Sequence, residues 1–334
     1  MITVEHLTKT YSGRDNRIVA LDEVSMQATP CAVLGVLGPS GAGKSTLARC
    51  LALRERPDRG AIKLDGTDLL GGSHAPALRR QLAVVGGTDT LFRQRTAAGN
   101  VALPLEQAGL DGPRRKARVG QLLDLVGLTD HAGARLDQLS AGQRRRVVVA
   151  RALSTGPTVL LADEPTGDMD SSEAGAVLTV LDRARAELGV TVLLFTSDGA
   201  LVRRSCDEVA LLEAGRLVEH GNLRELAADP LTRISATMLP AINPVPGSAT
   251  RYDLVAEVVL VGFAAIGALL PEAAHRFEVG IEMVGGGLTR FGDTPVARFG
   301  VGLSGVRAES ALAWIAEAGG VVHRVPNEPR GVAA

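Results

Sequence analysis

The sequence predicts an α/β protein in two parts, a large one built on a parallel sheet covered by helices and a smaller α+β one. Three observations carry that expectation. From Met1 to about Pro230, short Val/Leu-rich runs alternate with longer helical stretches, the pattern of strands buried on both faces. Between Ala228 and Thr250 the chain holds Pro230, Pro240, Pro244, Pro246 and Gly247, which interrupt any periodicity and read as a linker. The remainder runs strand, helix, two strands, helix, strand, the βαββαβ order of a ferredoxin-like domain. The expected limits are 1–230, 231–250 and 251–334, and 334 residues suffice for two separate cores.

Each element has a local reason. Cys31 to Leu37, Thr158 to Ala162 and Val190 to Phe195 are nearly continuous apolar runs that end in polar residues. In open α/β sheets ligands bind beyond such carboxyl ends. Ala61 to Leu64 before Asp65-Gly66, and Glu208 to His220 around Ala214-Gly215, read as antiparallel hairpin material beside the main sheet. Asn100 to Ala152 reads as mostly helical. Val258 to Leu270, the longest uncharged apolar run, holds two glycines and is shorter than the roughly 20 residues that cross a bilayer, so it reads as a strand entering a helix. Val306 to Ala318 places Ala308, Ala311, Leu312 and Ile315 on one helical face, as a helix lying on a small sheet requires.

Composition narrows the function. Lys+Arg 36 against Asp+Glu 37 leaves a net charge of -1, so no global positive field favours nucleic acid or an acidic membrane, and no nucleic-acid partner is expected. Cys31, Cys50 and Cys206 lie far apart and form no CxxC pair, which argues against a zinc site or disulfide framework and for a reducing, cytoplasmic setting. The start, MITVEHLTKTY, lacks a basic stretch followed by an apolar core, so no signal peptide is expected. Membrane work would need a partner chain to supply the membrane contact.

GPSGAGKST, from Gly38 through Pro39, Ser40, Gly41, Ala42, Gly43, Lys44 and Ser45 to Thr46, follows a buried strand and opens a helix. That context makes it a P-loop: backbone N–H groups curl around phosphates, the helix N-terminus adds positive partial charge, Lys44 adds a point charge and the Ser45 hydroxyl can ligate Mg²⁺. ATP with Mg²⁺ is the ligand expected. Val159 to Ala162 then delivers Asp163 and Glu164 to the end of a second strand, Asp163 to hold the metal and Glu164 to orient or deprotonate the attacking water.

LSAGQ, Leu139 to Gln143, followed by Arg144, Arg145 and Arg146, resembles the signature of ABC transporter ATPases, with Ala141 where glycine is usual. The resemblance implies that Ser140, Gly142 and Gln143 belong to a helix N-terminus facing the γ-phosphate bound by the other subunit of a homodimer. It also implies that Tyr11 stacks on adenine just before the first strand pair, and that Asp170 of GDMD, Gly167 to Asp170, couples the two composite sites.

Two positions depart from that family. Aligning LRRQLAVVGGTDTLF puts Gly87 where a glutamine ligates Mg²⁺, contacts the water and senses the permease; Gln94 does not substitute for it. FTSD puts Ser197 where the family has a switch histidine, and a serine hydroxyl is shorter than imidazole and carries no charge. Each loss is expected to slow hydrolysis by about 10²-fold or more while sparing ATP binding.

The tail, over about Arg251 to Pro326, resembles the regulatory domain that follows the ATPase in methionine-uptake ABC importers, as do RTAAGNVALPLE, Arg95 to Glu106, and LLDLVGL, Leu122 to Leu128. DEPTGDMD instead resembles the ATPases of lipoprotein-release and macrolide-export systems. The leading expectation is the ATPase subunit of an amino-acid importer, with methionine as substrate. It would act as a homodimer with a membrane permease, at the cytoplasmic face of the membrane, with an amino-acid ligand on the C-terminal domain. The alternatives are a hydrolysis-impaired ATP-binding regulatory module, the ATPase of an export system, or a soluble ABC protein of translation or DNA repair. Gly285-Gly286-Gly287 reads as a bend or bulge between the two middle strands of the tail, and His275, Phe277 and Trp314 as surface or core residues.

Overall fold

The protein is described from a computed structural model that covers residues 1–12, 17–71, 75–167, 169–242 and 251–325. It separates into two compact units, one of Met1–Asp198 with Ser205–His220 and one of Gly199–Arg204 with Gly221–Ala334.

The first unit has two sheets. Strands β1 (Ile2–Ser12), β2 (Arg17–Ala28), β4 (Arg59–Leu64) and β5 (Thr67–Asp68) form an antiparallel sheet in the order β2-β1-β4-β5. The main sheet runs β10-β9-β3-β8-β7-β6, from β3 (Val33–Leu37), β6 (Leu82–Val85), β7 (Val159–Asp163), β8 (Thr191–Thr196), β9 (Glu208–Glu213) and β10 (Arg216–Asn222). Its β3, β6, β7, β8 and β9 pair in parallel. The hairpin expected beside this sheet is therefore part of it. A tight turn at Ala214 and Gly215, both at positive φ, lets β9 pair with β3 while β10 forms the edge.

The central strands are apolar because both faces are covered: every residue of β3 and β8 is buried. Phe195 is fully buried, and truncating such a side chain to alanine typically costs about 3–5 kcal/mol. Helix α1 (Lys44–Leu51) follows β3 and packs Leu47, Cys50 and Leu51 into that core. Beyond α2 (Ala75–Arg79), the stretch expected to be helical holds α3 (Ala97–Gln107), α4 (Gly112–Leu125) and α5 (Ala141–Leu153). Thr96, Asp111 and Ser140 each cap one of these through a side-chain oxygen that accepts a backbone N–H. Helix α6 (Ser171–Leu188) starts at the cap Asp170 and ends at left-handed Gly189.

The second unit includes most of α7 (Gly199–Ser205), α8 (Leu223–Ala228) and α9 (Arg233–Met238). Helix α9 lies inside the stretch that reads as linker: Thr232 caps it, and Ile234, Ser235 and Met238 are buried, a period too short to show between flanking prolines. Residues 243–250 of that stretch lie outside the described residues.

Then come β11 (Leu254–Val261), α10 (Phe263–Ile266), α11 (Leu269–Phe277), β12 (Gly280–Phe291), β13 (Thr294–Ser304), α12 (Ala308–Glu317) and β14 (Val321–Arg324), in the predicted βαββαβ order. Their antiparallel sheet runs β12-β13-β11-β14. Its core is lined by Ala256, Val258, Leu260, Val301 and Leu303 under Ala308, Ala311, Leu312 and Ile315 of α12. The glycine triplet lies within β12, an edge strand, and not between two middle strands: the register shifts between Met283 and Gly285. Gly286 has φ of 102°, and a Cβ there would sit 1.9 Å from the Arg298 carbonyl oxygen, so a bulge accounts for it. No helix among the described residues is long and apolar enough to cross a membrane.

Candidate functional site

The carboxyl ends of β3, β7 and β8 bring the predicted residues of the phosphate side together. Gly38 to Gly43 links β3 to α1, and Gly43 caps that helix with φ of 102°. A Cβ at Gly43 would lie 2.4 Å from the Ala20 carbonyl oxygen, so only glycine lets the loop close here. Lys44 is 7% exposed, and its Nζ donates to the carbonyls of Gly38 at 2.8 Å and Pro39 at 3.1 Å, which holds the charge against the loop.

Parallel register sets the two carboxylates. Asp163 of β7 pairs with Phe195 of β8, so Glu164 emerges beside Thr196 and Ser197. Burial pushes the Asp163 carboxyl above its usual range and the negative charge of Glu164 adds to this; a hydrogen bond from Ser45 and the charges of Arg49 and Lys44 act in the opposite direction. Asp163 Oδ1 is buried without a protein hydrogen-bond partner. A buried carboxylate oxygen left unpaired, beside a serine hydroxyl at the mouth of a phosphate loop, fits a hard cation such as Mg²⁺, which takes oxygen ligands and keeps much of its water.

Glu164 has φ of 42°, a left-handed conformation at the strand end. Its Oε1 accepts the Ser197 backbone N–H at 3.0 Å and the Ser197 hydroxyl at 3.3 Å, and its Oε2 accepts the Thr196 hydroxyl at 3.2 Å. Sequence reasoning missed Thr196, which reads as the end of an apolar strand. The serine at the histidine position thus holds the Glu164 carboxylate even though it carries no charge.

Gly87 precedes a short 3-10 turn, Thr88–Thr90. Arginines of α5 fasten the turn: Arg145 donates to the Gly86 carbonyl at 2.9 Å, and Arg151 donates to the Thr90 carbonyl at 2.7 Å and hydroxyl at 2.6 Å. A cavity of about 190 Å³ lined by Gly87, Val85 and Arg49 opens beside the Asp163 carboxylate. A glutamine side chain at position 87 would have this space next to it, with only the exposed Asp89 carboxylate to displace.

Tyr11 lies inside β1, opposite Ile18, and not before the strand pair. Its hydroxyl donates to Glu55 at 2.7 Å and accepts from Arg49 at 3.0 Å, and Arg49 also donates to Thr46 at 3.1 Å. Desolvation opposes ionisation of Glu55, but hydrogen bonds from Tyr11 and Arg49 together with the charge of Lys9 bring its carboxyl below the usual range. The ring is thus tethered to the first helix of the P-loop, a tie invisible in the sequence because Glu55 lies 44 residues away.

The signature residues stand apart from this cluster, on α5. Ser140 and Gln143 form a reciprocal cap: the Gln143 N–H donates to the Ser140 hydroxyl and the Gln143 side chain accepts the Ser140 N–H. Asp170 caps α6, accepting the N–H groups of Ser172 and Glu173; its neighbour Asp168 lies outside the described residues.

A strand, a phosphate loop, a helix and a second strand ending in two carboxylates define a P-loop nucleotide hydrolase. The family described as ABC transporter matches residues 21–167. Methionine import ATP-binding proteins are similar over nearly the whole chain: that of Thermobifida fusca is 39% identical over 98% of this chain and 100% of its own length, and that of Myxococcus xanthus 41% over the same shares. The chain belongs to the ABC transporter ATP-binding family, and its first unit is an ATPase of that family. The dimeric post-hydrolysis structure of the ATP-binding cassette MJ0796, bound to ADP and Pi, is 29% identical with a TM-score of 0.60, covering 67% of this chain and 99% of that one. The structure of cbiO1 from Clostridium perfringens, part of the ABC transporter complex cbiONQ, gives a TM-score of 0.61 at 28% identity, covering 71% of this chain and 98% of that one.

Proposed function

We propose that this chain is the ATP-binding subunit of an importer for methionine, working as a homodimer docked on a membrane permease at the cytoplasmic face. The observation that carries the substrate is that likeness to methionine import proteins spans 98% of the chain, the βαββαβ unit included, and so exceeds the part common to ABC ATPases. It favours import over the export reading suggested by DEPTGDMD.

In the proposed cycle, the loop from Gly38 to Thr46 and Lys44 hold the ATP phosphates, with Tyr11 against the adenine. Ser45 and Asp163 hold Mg²⁺, which when bound neutralises charge on the β- and γ-phosphate oxygens. Glu164 orients the attacking water and takes its proton; Thr196 and Ser197 fix that carboxylate. Ser140, Gly142 and Gln143 of the partner subunit close over the γ-phosphate, and Asp170 ties that closure to the neighbouring site. Gly87 and Ser197 slow turnover, since neither can contact metal, water and γ-phosphate as glutamine and histidine would. The C-terminal unit binds the amino acid and regulates transport.

ATP-dependent uptake of radiolabelled methionine into vesicles holding the complete transporter tests this reading. Uptake that disappears with Lys44→Ala in both subunits is expected; methionine uptake indifferent to that change, or transport of other solutes alone, would refute it. The same two substitutions also favour a second reading, a hydrolysis-impaired regulatory module, which predicts ATP-induced pairing without any transport.

A further inference from the structure

Glu173 stands in the first turn of α6, and its carboxylate lies on the N-terminus of α5. Glu173 Oε1 accepts the Ser140 hydroxyl at 2.9 Å and the Gly142 N–H at 3.1 Å. These are the two donors that the proposed function aims at the γ-phosphate of the other subunit. The contact is snug: a Cβ at Gly142 would sit 3.1 Å from the Cβ, Cγ and Cδ of Glu173. Two helix N-termini, those of α5 and α6, favour the negative charge at this place. Asp170 fixes the backbone beneath it by accepting the Glu173 N–H at 2.8 Å. Ser140 is exposed and Glu173 half-buried, so the contact faces solvent and an incoming anion can meet it.

We propose that Glu173 is a specificity-determining residue of ATP-driven closure, an internal carboxylate that the γ-phosphate of the partner's nucleotide must displace from Ser140 and Gly142. The inference rests on the reading of those two residues as phosphate donors. A γ-phosphate brings more charge and more acceptor oxygens than one carboxylate, so ATP exchanges for Glu173 when two subunits meet. ADP ends one phosphate short and leaves Glu173 in place. The carboxylate thereby raises the ATP concentration needed for closure and sharpens its preference for ATP over ADP. Displacing it also frees the first turn of α6 next to Asp170, so phosphate arrival at the signature is felt at the start of the following helix.

The test measures ATP-dependent pairing of the full chain by sedimentation, in a Glu164→Gln background that suppresses turnover. Glu173→Gln keeps the shape and removes the charge; Glu173→Thr removes both and serves if the first variant melts early. Pairing at an ATP concentration lower by about fivefold or more, with a measurable onset of pairing in ADP, is expected, on the scale of one charged hydrogen bond. A cap with a purely structural role predicts the opposite sign, a lower melting temperature and pairing that is unchanged or weaker. That result, with Ser140→Ala still weakening pairing, overturns the role of Glu173 and leaves the signature reading intact. Ser140→Ala without effect on pairing would refute the signature reading and this inference with it.

Discussion

The P-loop and the LSAGQ turn use the same physics and stand in opposite electrostatic states. Both present backbone N–H groups at a helix N-terminus, the natural seat of an anion. At the P-loop the charge folded against the loop is a cation, Lys44 on the carbonyls of Gly38 and Pro39. At the signature it is an anion, Glu173 on Ser140 and Gly142. The first half can accept phosphate by swinging a lysine from carbonyl to phosphate oxygen. The second must exchange one anion for another. Nucleotide binding by one subunit and closure of two are therefore separable steps, and substitutions in the two halves should separate them.

The largest effect should come from the chemistry between the halves. Glu164→Gln is expected to lower ATP turnover by about 10²-fold or more while ATP-dependent pairing persists, because the amide keeps the shape but cannot take a proton. Single-turnover kinetics beside sedimentation would show it, and equal loss of both would mean that the carboxylate has a structural role only.

Next in size, Lys44→Ala breaks the first half alone. Titration calorimetry should give ATP affinity lower by roughly tenfold to a hundredfold, the range for losing charge-assisted contacts, and no pairing at ATP levels that pair the parent. Unchanged affinity would remove the contrast between the two halves.

The smallest effect concerns Asp163. Its carboxyl titrates above the usual range in the fold, mainly through burial, so the folded protein holds that proton more tightly than the unfolded chain. Stability without metal then falls as pH rises from the ordinary carboxylate range through the raised value, and the full cost is present above it. Asp163→Asn removes that ionisation. The Mg²⁺-free melting temperature at neutral pH should rise by roughly a few degrees, and the extra stabilisation by Mg²⁺ with ATP should vanish. A lower melting temperature would mean that Lys44 and Arg49 already compensate the charge.

What the sequence made legible follows a physical divide. The P-loop, Asp163 and Glu164 could be read because each depends on a strand and the few residues after it. The face of α12 showed for the same reason: Ala308, Ala311, Leu312 and Ile315 are buried by local periodicity alone. Glu173 on Ser140, Tyr11 on Glu55 and Thr196 on Glu164 join residues 33, 44 and 32 positions apart and exist only once helices and strands pack, so nothing local marks them. Helix α9 was hidden differently, since Pro240 and its neighbours mask a single capped turn and a half. The place of β10 on the main sheet could not be read because a hairpin looks alike whichever sheet receives it.

The central claim is that ATP is bound normally and turned over slowly because position 87 has no side chain and position 197 only a hydroxyl. The most direct test compares the full chain with a Gly87→Gln, Ser197→His variant, measuring ATP affinity by calorimetry and hydrolysis under single-turnover conditions with the permease present. The account predicts equal affinity and hydrolysis faster by about 10²-fold or more in the variant. Equal rates, or a parent that already hydrolyses faster than the variant, would contradict it.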